Sequence, residues 1–229
     1  MESAEFDRFA DEYDAMHQAN IAITGERPDF FAEYKIRVLK QIVVGRREPV
    51  RRIVDFGSGI GNSIPHFNRY FPEADLVCAD VSQRSLELSR SRFPGLGRPL
   101  LIEGASIAAE DATFDLAFSA CVFHHIPHAE HVAWLSELRR IVRPSGMLAI
   151  FEHNPLNPLT VHAVNTCPFD ENAHLIGARQ LVARCRAAGW ARAAVRYHLF
   201  FPRALAALRP LEPWLQHVPF GGQYSVIAR

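Results

Sequence analysis

The chain has 229 residues, 48% hydrophobic and 22% charged, enough for one α/β domain with a sizeable core. Lys plus Arg and Asp plus Glu both number 25, so the formal net charge is zero and the basic footprint of a nucleic-acid binder is missing. No apolar run approaches the roughly 18 residues that cross a bilayer, and the scattered Cys78, Cys121, Cys167 and Cys185 form no CxxC pair or disulfide framework. The opening MESAEFDRFADEYD is acidic and polar, the opposite of a secretory signal, so the expected setting is cytoplasmic, without stable membrane insertion.

In chain order, Phe6, Phe9, Ala10 and Tyr13 recur at helical spacing, and RPDFFAEYKIRVLKQIVVG predicts a second helix between Pro28 and Gly45. RRIVDF reads as a strand, SIPHFNRYF as a helix, ADLVCAD as a strand and SQRSLELSRSRF as a helix, followed by a short extended piece near PLLIEG. FDLAFSA is a strand, HAEHVAWLSELRRIV a helix, and GMLAIFEH a strand after a Pro144-Ser145-Gly146 turn. GARQLVARCRAAGW is a helix, and RAAVRYHLF and QYSVIAR are strands flanking an irregular stretch. This alternation predicts a Rossmann-like, doubly wound α/β sheet of seven strands, mostly parallel with an antiparallel C-terminal strand, and helices on both faces.

Between the first strand and its helix lies VDFGSGIGNS, with Gly57, Gly59 and Gly61 at alternate positions. A dinucleotide fingerprint wants its third glycine three positions after the second, and a phosphate P-loop needs Gly-Lys-Ser/Thr, whereas Asn62 follows Gly61. The pattern D-x-G-x-G-x-G fits Asp55 to Gly61 at every defined position. It resembles class I S-adenosylmethionine-dependent methyltransferases, and FDLAFSACVFHHI…LRRIVRPSGMLAIFEHN is similar to the same family.

The resemblance implies S-adenosylmethionine as cofactor and S-adenosylhomocysteine as product. It implies that Asp55 receives the ammonium, that the turn of Gly57, Ser58, Gly59 and Gly61 accommodates the amino-acid portion, and that Asp80 takes the ribose hydroxyls. Val81, Gly104 and Ala105 would border the adenine, although Glu103-Gly104 stands where the family often has Asp-Ala. Ser119 and Tyr13 complete the implied cofactor set. Residues 1–45 would form a helical lid on the single domain 1–229, and insertions 154–176 and 202–219 would shape the acceptor pocket.

Methyl transfer is an in-line displacement, so alignment and exclusion of water matter most, and a base is needed only where the acceptor holds a proton. His125 and His153 follow the fourth and fifth strands and are the candidate catalytic residues, with His124 a cofactor-pocket residue. Within the resembled family, amino-methylating members acting on DNA bases or glutamine carry an Asn/Asp-Pro-Pro-aromatic run where this chain has Ser119-Ala120-Cys121-Val122. Metal-dependent catechol-type members place carboxylates in a region that has none here between Asp115 and Glu130, so the resemblance implies neither that amino-methylation nor a metal requirement. His153, His162, Cys167 and His174 match no usual structural zinc spacing. Asn165, Asp170 and His174 are candidates for acceptor contacts.

The expected activity is metal-independent methylation of an oxygen or nitrogen of a small molecule in a natural-product or saccharide pathway. Alternatives are a lipid-linked or quinone-type substrate at a membrane, suggested by RALAALRPLEPWLQHVPF, and a non-catalytic binding protein. The same apolar segment would also suit packing on the sheet or a homodimer surface.

Overall fold

Ile53, Val54 and Phe56 leave Arg52–Phe56 (β1) buried on both faces, as a strand covered by helices on each side requires. The computed structural model describes Gln18, Asn20, Ile21 and residues 24–44 and 48–229, so the expected first helix with Tyr13 lies outside the described residues. The sheet continues with β2 (Asp75–Asp80), β3 (Arg98–Leu101), β4 (Phe114–Ala120), β5 (Val142–His153), β6 (Ala193–His198) and β7 (Gln223–Ala228). Its order is β3-β2-β1-β4-β5-β7-β6. β1, β2, β3, β4 and β5 pair in parallel, and β7 runs antiparallel between β5 and β6. The strand order reverses between β1 and β4, and ligands of open α/β sheets bind outside the carboxyl ends of the strands at such a point.

Helices α1 (Pro28–Val43), α2 (Ile64–Tyr70), α3 (Gln83–Arg92), α4 (His131–Ile141), α5 (Pro158–Thr166), α6 (Ala178–Ala187) and α7 (Glu212–Leu215) complete the domain. Because side chains alternate along a strand, β1 sends Ile53 and Val54 to opposite faces. Ile53 joins Ile36 and Leu39 of α1, Phe67 of α2 and Leu86 of α3 in one apolar cluster. Val54 joins Trp134, Leu135 and Leu138 of α4 and Leu181 of α6 in the other. The helices therefore cover both faces, as the sequence predicts. Among the described residues no helix is long and apolar enough to cross a membrane.

Two local readings change. The expected turn at Pro144-Ser145-Gly146 is part of β5, because Val142 already pairs with Phe114 and a bulge between Phe114 and Leu116 absorbs the irregular stretch. The 154–176 insertion contains α5, whose start is fixed by Asn157 accepting the Thr160 N–H at 3.0 Å.

Candidate active site

After β1 the chain turns through Gly57, Gly59 and Gly61 at φ of 74°, 53° and 83°, a left-handed region that glycine enters without strain. A Cβ at Gly57 would collide with Val122, and one at Gly61 with Ser89, so these two let the loop seat against its neighbours. At Gly59 nothing lies within 4 Å of that position, and Gly59 borders a cavity of about 360 Å³. Asp80 accepts the Gly59 N–H at 2.7 Å and the Ser82 N–H at 2.9 Å, bracing the glycine loop against the start of α3. Ser82, not Asp80, caps that helix, accepting the Ser85 N–H at 3.0 Å.

Asp55 ends in the same cavity, and its Oδ2 is buried with no hydrogen-bond partner among the described residues. Burial, together with the charge of Asp80, pushes its pKa up to about 8, against a smaller opposing pull from Lys35. The site thus holds an acid that is poorly solvated until a cationic partner reaches it.

The opposite wall is built where β4 and β5 end. Cys121 leaves β4 at φ 59°, an unusual conformation for a residue with a side chain, and its N–H donates to the Phe151 carbonyl at 2.8 Å. Burial raises the Cys121 thiol, but hydrogen-bonded His153 and the Lys35 charge more than reverse this and bring it to about 7. Glu152 is fully buried and fully used. Its Oε1 accepts the N–H groups of Val122 and Phe123 at 3.0 and 2.7 Å, and its Oε2 lies 2.7 Å from His124 Nδ1. Burial works against charge on His124, but Glu152 and Asp170 on either side override it and raise its pKa. His125 shifts down, through burial and the neighbouring His124. Asp170 Oδ1 lies 3.5 Å from His124 Nε2 and 3.3 Å from His125 Nε2.

The roof comes from α1 and from the segment that leads to α7. Glu212 accepts the Tyr34 hydroxyl at 3.2 Å and the N–H groups of Phe200 and Phe201 at 3.0 and 3.2 Å. Arg209 pairs with Glu26 at 2.6 Å and stacks 4.6 Å from the Phe30 ring centre. Asn154 donates to the carbonyls of Pro219 and Gly221, and Asn157 to that of Phe220, stitching the 154–176 insertion to the loop before β7.

Of the residues singled out in the sequence, Asp55, Gly57, Ser58, Gly59, Asp80, His124, His125, His153 and Asp170 all face this cavity. Gly61, Val81, Gly104, Ala105 and Ser119 stand outside its wall; Val81 packs on the core, and Ser119 is fully buried, its Oγ without a hydrogen-bond partner among the described residues. Asn165 and His174 are exposed and away from the cavity, and the His153, His162, Cys167 and His174 grouping does not form. The metal-ligand cluster among the described residues is His124, His125 and Asp170. Sequence reasoning passed over Lys35, Cys121 and Arg209, which also line the cavity. Cys121 was findable from its place at the end of β4, whereas Lys35 sits on a helix whose buried face reads as ordinary packing.

This architecture defines a doubly wound domain with a glycine loop and two acids at its switch point. A family model described as a methyltransferase domain matches residues 54–150. A trans-aconitate 2-methyltransferase of Azoarcus sp. is 30% identical over 187 residues, covering 80% of this chain and 68% of that protein. Another from Methylobacterium nodulans is 35% identical over 101 residues, 43% of this chain but only 37% of the relative's length. An S-adenosylmethionine-dependent methyltransferase structure from Thermotoga maritima superposes with a TM-score of 0.70 at 19% identity, covering 99% of this chain and 98% of its own. The chain belongs to the class I S-adenosylmethionine-dependent methyltransferases, and S-adenosylmethionine is its cofactor.

Proposed function

We propose that the chain transfers a methyl group to a carboxylate oxygen of a small acidic acceptor. The observation that carries this reading is one cavity that gathers acidic and basic groups: Asp55 and Asp80 on the glycine-loop wall, His125 and His153 on the wall where β4 and β5 end, and Lys35, whose charge acts on both Asp55 and Cys121. On the first wall Asp55 receives the donor's ammonium, Asp80 its ribose hydroxyls, and the backbone of Gly57, Ser58 and Gly59 its amino-acid portion. Between the two, Lys35, nine-tenths buried at 9% exposure, offers the charge that an acidic acceptor seeks. The relatives' name, trans-aconitate 2-methyltransferase, supports an acid as substrate. The earlier expectation of an oxygen or nitrogen acceptor in a natural-product or saccharide pathway narrows accordingly.

In the reaction a lone pair of the acceptor oxygen attacks the methyl carbon, the O–C bond forms as the S–C bond breaks, and S-adenosylhomocysteine leaves. A carboxylate holds no proton near neutral pH, so this acceptor needs no general base, and His125 and His153 orient it by hydrogen bonds. The roof formed by α1 and Arg209 excludes the water that would compete for the polar wall. A screen with methyl-labelled S-adenosylmethionine tests the proposal against small di- and tricarboxylates, trans-aconitate among them, sugars, phenols and amines. Base-labile methyl esters are expected; transfer confined to amines or sugar hydroxyls overturns the reading.

A second reading, a membrane-bound acceptor, draws on exposed Leu205, Leu208, Leu211, Trp214 and Phe220, with Trp214 81% and Phe220 64% accessible. Failure of the protein to float with anionic or zwitterionic liposomes removes it.

A further inference from the structure

His124 and His125 sit on a turn, Phe123–His125, that directly follows β4, and Asp170 ends a second turn, Pro168–Asp170, in the 154–176 insertion. The fold brings these distant segments together so that one carboxylate oxygen faces two imidazole nitrogens, all three within 4.8 Å of one another. Asp170 Oδ1 is buried and accepts no hydrogen bond in good geometry from the described residues. Glu152 Oε2, 2.7 Å from His124 Nδ1, makes that nitrogen the donor and turns the other, Nε2, towards Asp170. In the neutral imidazole a lone pair there would confront a carboxylate oxygen. Such an arrangement calls for a cation between the two groups, and the choice is a proton or a metal ion.

The distances discriminate. A proton shared by an imidazole and a carboxylate draws the heavy atoms to about 2.7–2.9 Å. Ligand atoms around a tetrahedral metal with bonds of about 2.0–2.1 Å stand roughly 3.3–3.4 Å apart. The two separations from Asp170 are 3.5 and 3.3 Å, and the two imidazoles offer nitrogens within 4.8 Å of one another. The surrounding shell also has the form that metal sites use, a ligating histidine whose second nitrogen donates to a carboxylate. Here that carboxylate is itself pinned, since Glu152 Oε1 accepts the backbone N–H groups of Val122 and Phe123.

We propose that His124 Nε2, His125 Nε2 and Asp170 Oδ1 bind a divalent transition-metal ion of the zinc class. Two imidazoles and one carboxylate suit a borderline ion, and three protein ligands leave a position open. All three side chains line the cavity, so the open position faces the space assigned to the acceptor. An acceptor oxygen placed there would be fixed in register for the incoming methyl group. The ion is thus a positioning device, and no bond to it is made or broken in the displacement. Its role rests on the acceptor reading above; its binding does not. It also revises the sequence-level expectation that no metal is involved.

The test uses the full chain, stripped by dialysis against chelator and titrated with Zn²⁺ alone and Co²⁺ alone, without methyl donor or acceptor. One equivalent of Zn²⁺ bound at micromolar affinity or tighter, and visible absorption bands on adding Co²⁺, are expected. Asp170→Asn and His125→Gln should each weaken binding by at least about tenfold. Titration of each variant with S-adenosylhomocysteine shows that it remains folded. Absence of binding overturns the proposal, as does stoichiometric binding that survives both substitutions, which would put the ion at Cys121 and His153. Because no acceptor is present, either failure leaves the carboxylate-methylation reading standing to be judged by its own screen.

Discussion

On the proposal that Asp55 receives the donor's ammonium, cofactor binding must release a proton. In the free protein Asp55 is buried beside Asp80 and its pKa is pushed up to about 8. At pH 7 a group of that pKa is roughly nine-tenths protonated, while the amino-acid ammonium of the ligand is already charged. Forming the carboxylate–ammonium pair therefore expels roughly 0.9 proton and costs about 1.4 kcal/mol relative to an acid already ionised at that pH. The sign follows from the raised pKa: the neutral acid dominates below pH 8, so affinity climbs as pH rises towards it. Between pH 6 and 7 the dissociation constant of S-adenosylhomocysteine should fall nearly tenfold. Calorimetric titration at pH 7 in buffers of different ionisation enthalpy measures the proton directly, because the apparent enthalpy varies with the buffer in proportion to its number. Asp55→Asn should abolish that dependence and weaken binding. Enthalpies that coincide in all buffers, or a release undiminished in Asp55→Asn, would refute the reasoning.

Three further outcomes follow from the same geometry. Gly59→Val places a side chain into the open cavity and forces a branched residue to φ 53°, so S-adenosylhomocysteine binding should be lost while thermal unfolding shifts by about 1–3 kcal/mol. Asp80→Ala removes the acceptor for the Gly59 and Ser82 N–H groups, and the cofactor dissociation constant should rise by about 1.5–3 kcal/mol, roughly ten- to a hundredfold, in the same titration. Phe118→Ala opens a void where Phe118 packs edge-on to Phe67 at 5.2 Å and against Phe151 at 5.8 Å. Chemical denaturation should show a loss of about 3–5 kcal/mol.

The strands and the glycine loop were legible because their signals are local. Alternating apolar residues and a D-x-G-x-G-x-G spacing act over a few positions, and the structure puts β4 at Phe114–Ala120, the predicted FDLAFSA. α5 was less visible, since its nine residues carry a weak apolar stripe and its defining feature is the Asn157 cap. Asp170 was a candidate by composition alone, and Lys35 and Arg209 were not candidates at all. Their meeting with His125 and His153 joins positions from 17 to 118 residues apart, for which one sequence offers residue types without distances. Conversely, Gly61 reads as part of the ligand cradle in the sequence yet stands against Ser89 and outside the cavity wall.

The two walls of the cavity also differ in how they are held, and this bears on how the fold divides its tasks. Asp55, Asp80 and the glycine loop belong to β1, β2 and the turn between sheet and α2, and the loop is tied to β2 by the Gly57 and Ser58 N–H groups, which donate to the Ala79 carbonyl, and by the Gly59 N–H, which donates to Asp80. The wall proposed for the acceptor is assembled from ends: the strained elbow at Cys121, the carboxylate of Glu152, the Asp170 turn and the Glu212-bound roof. Loops that follow strands can be exchanged at little cost to the core, whereas the β1–β2 register cannot shift by one residue without turning its apolar side chains to the wrong face. In this chain, the buried Glu152 joins the two parts: it lies next to the last residue of the core strand β5, and through Val122, Phe123 and His124 it sets the position of the wall proposed for the acceptor.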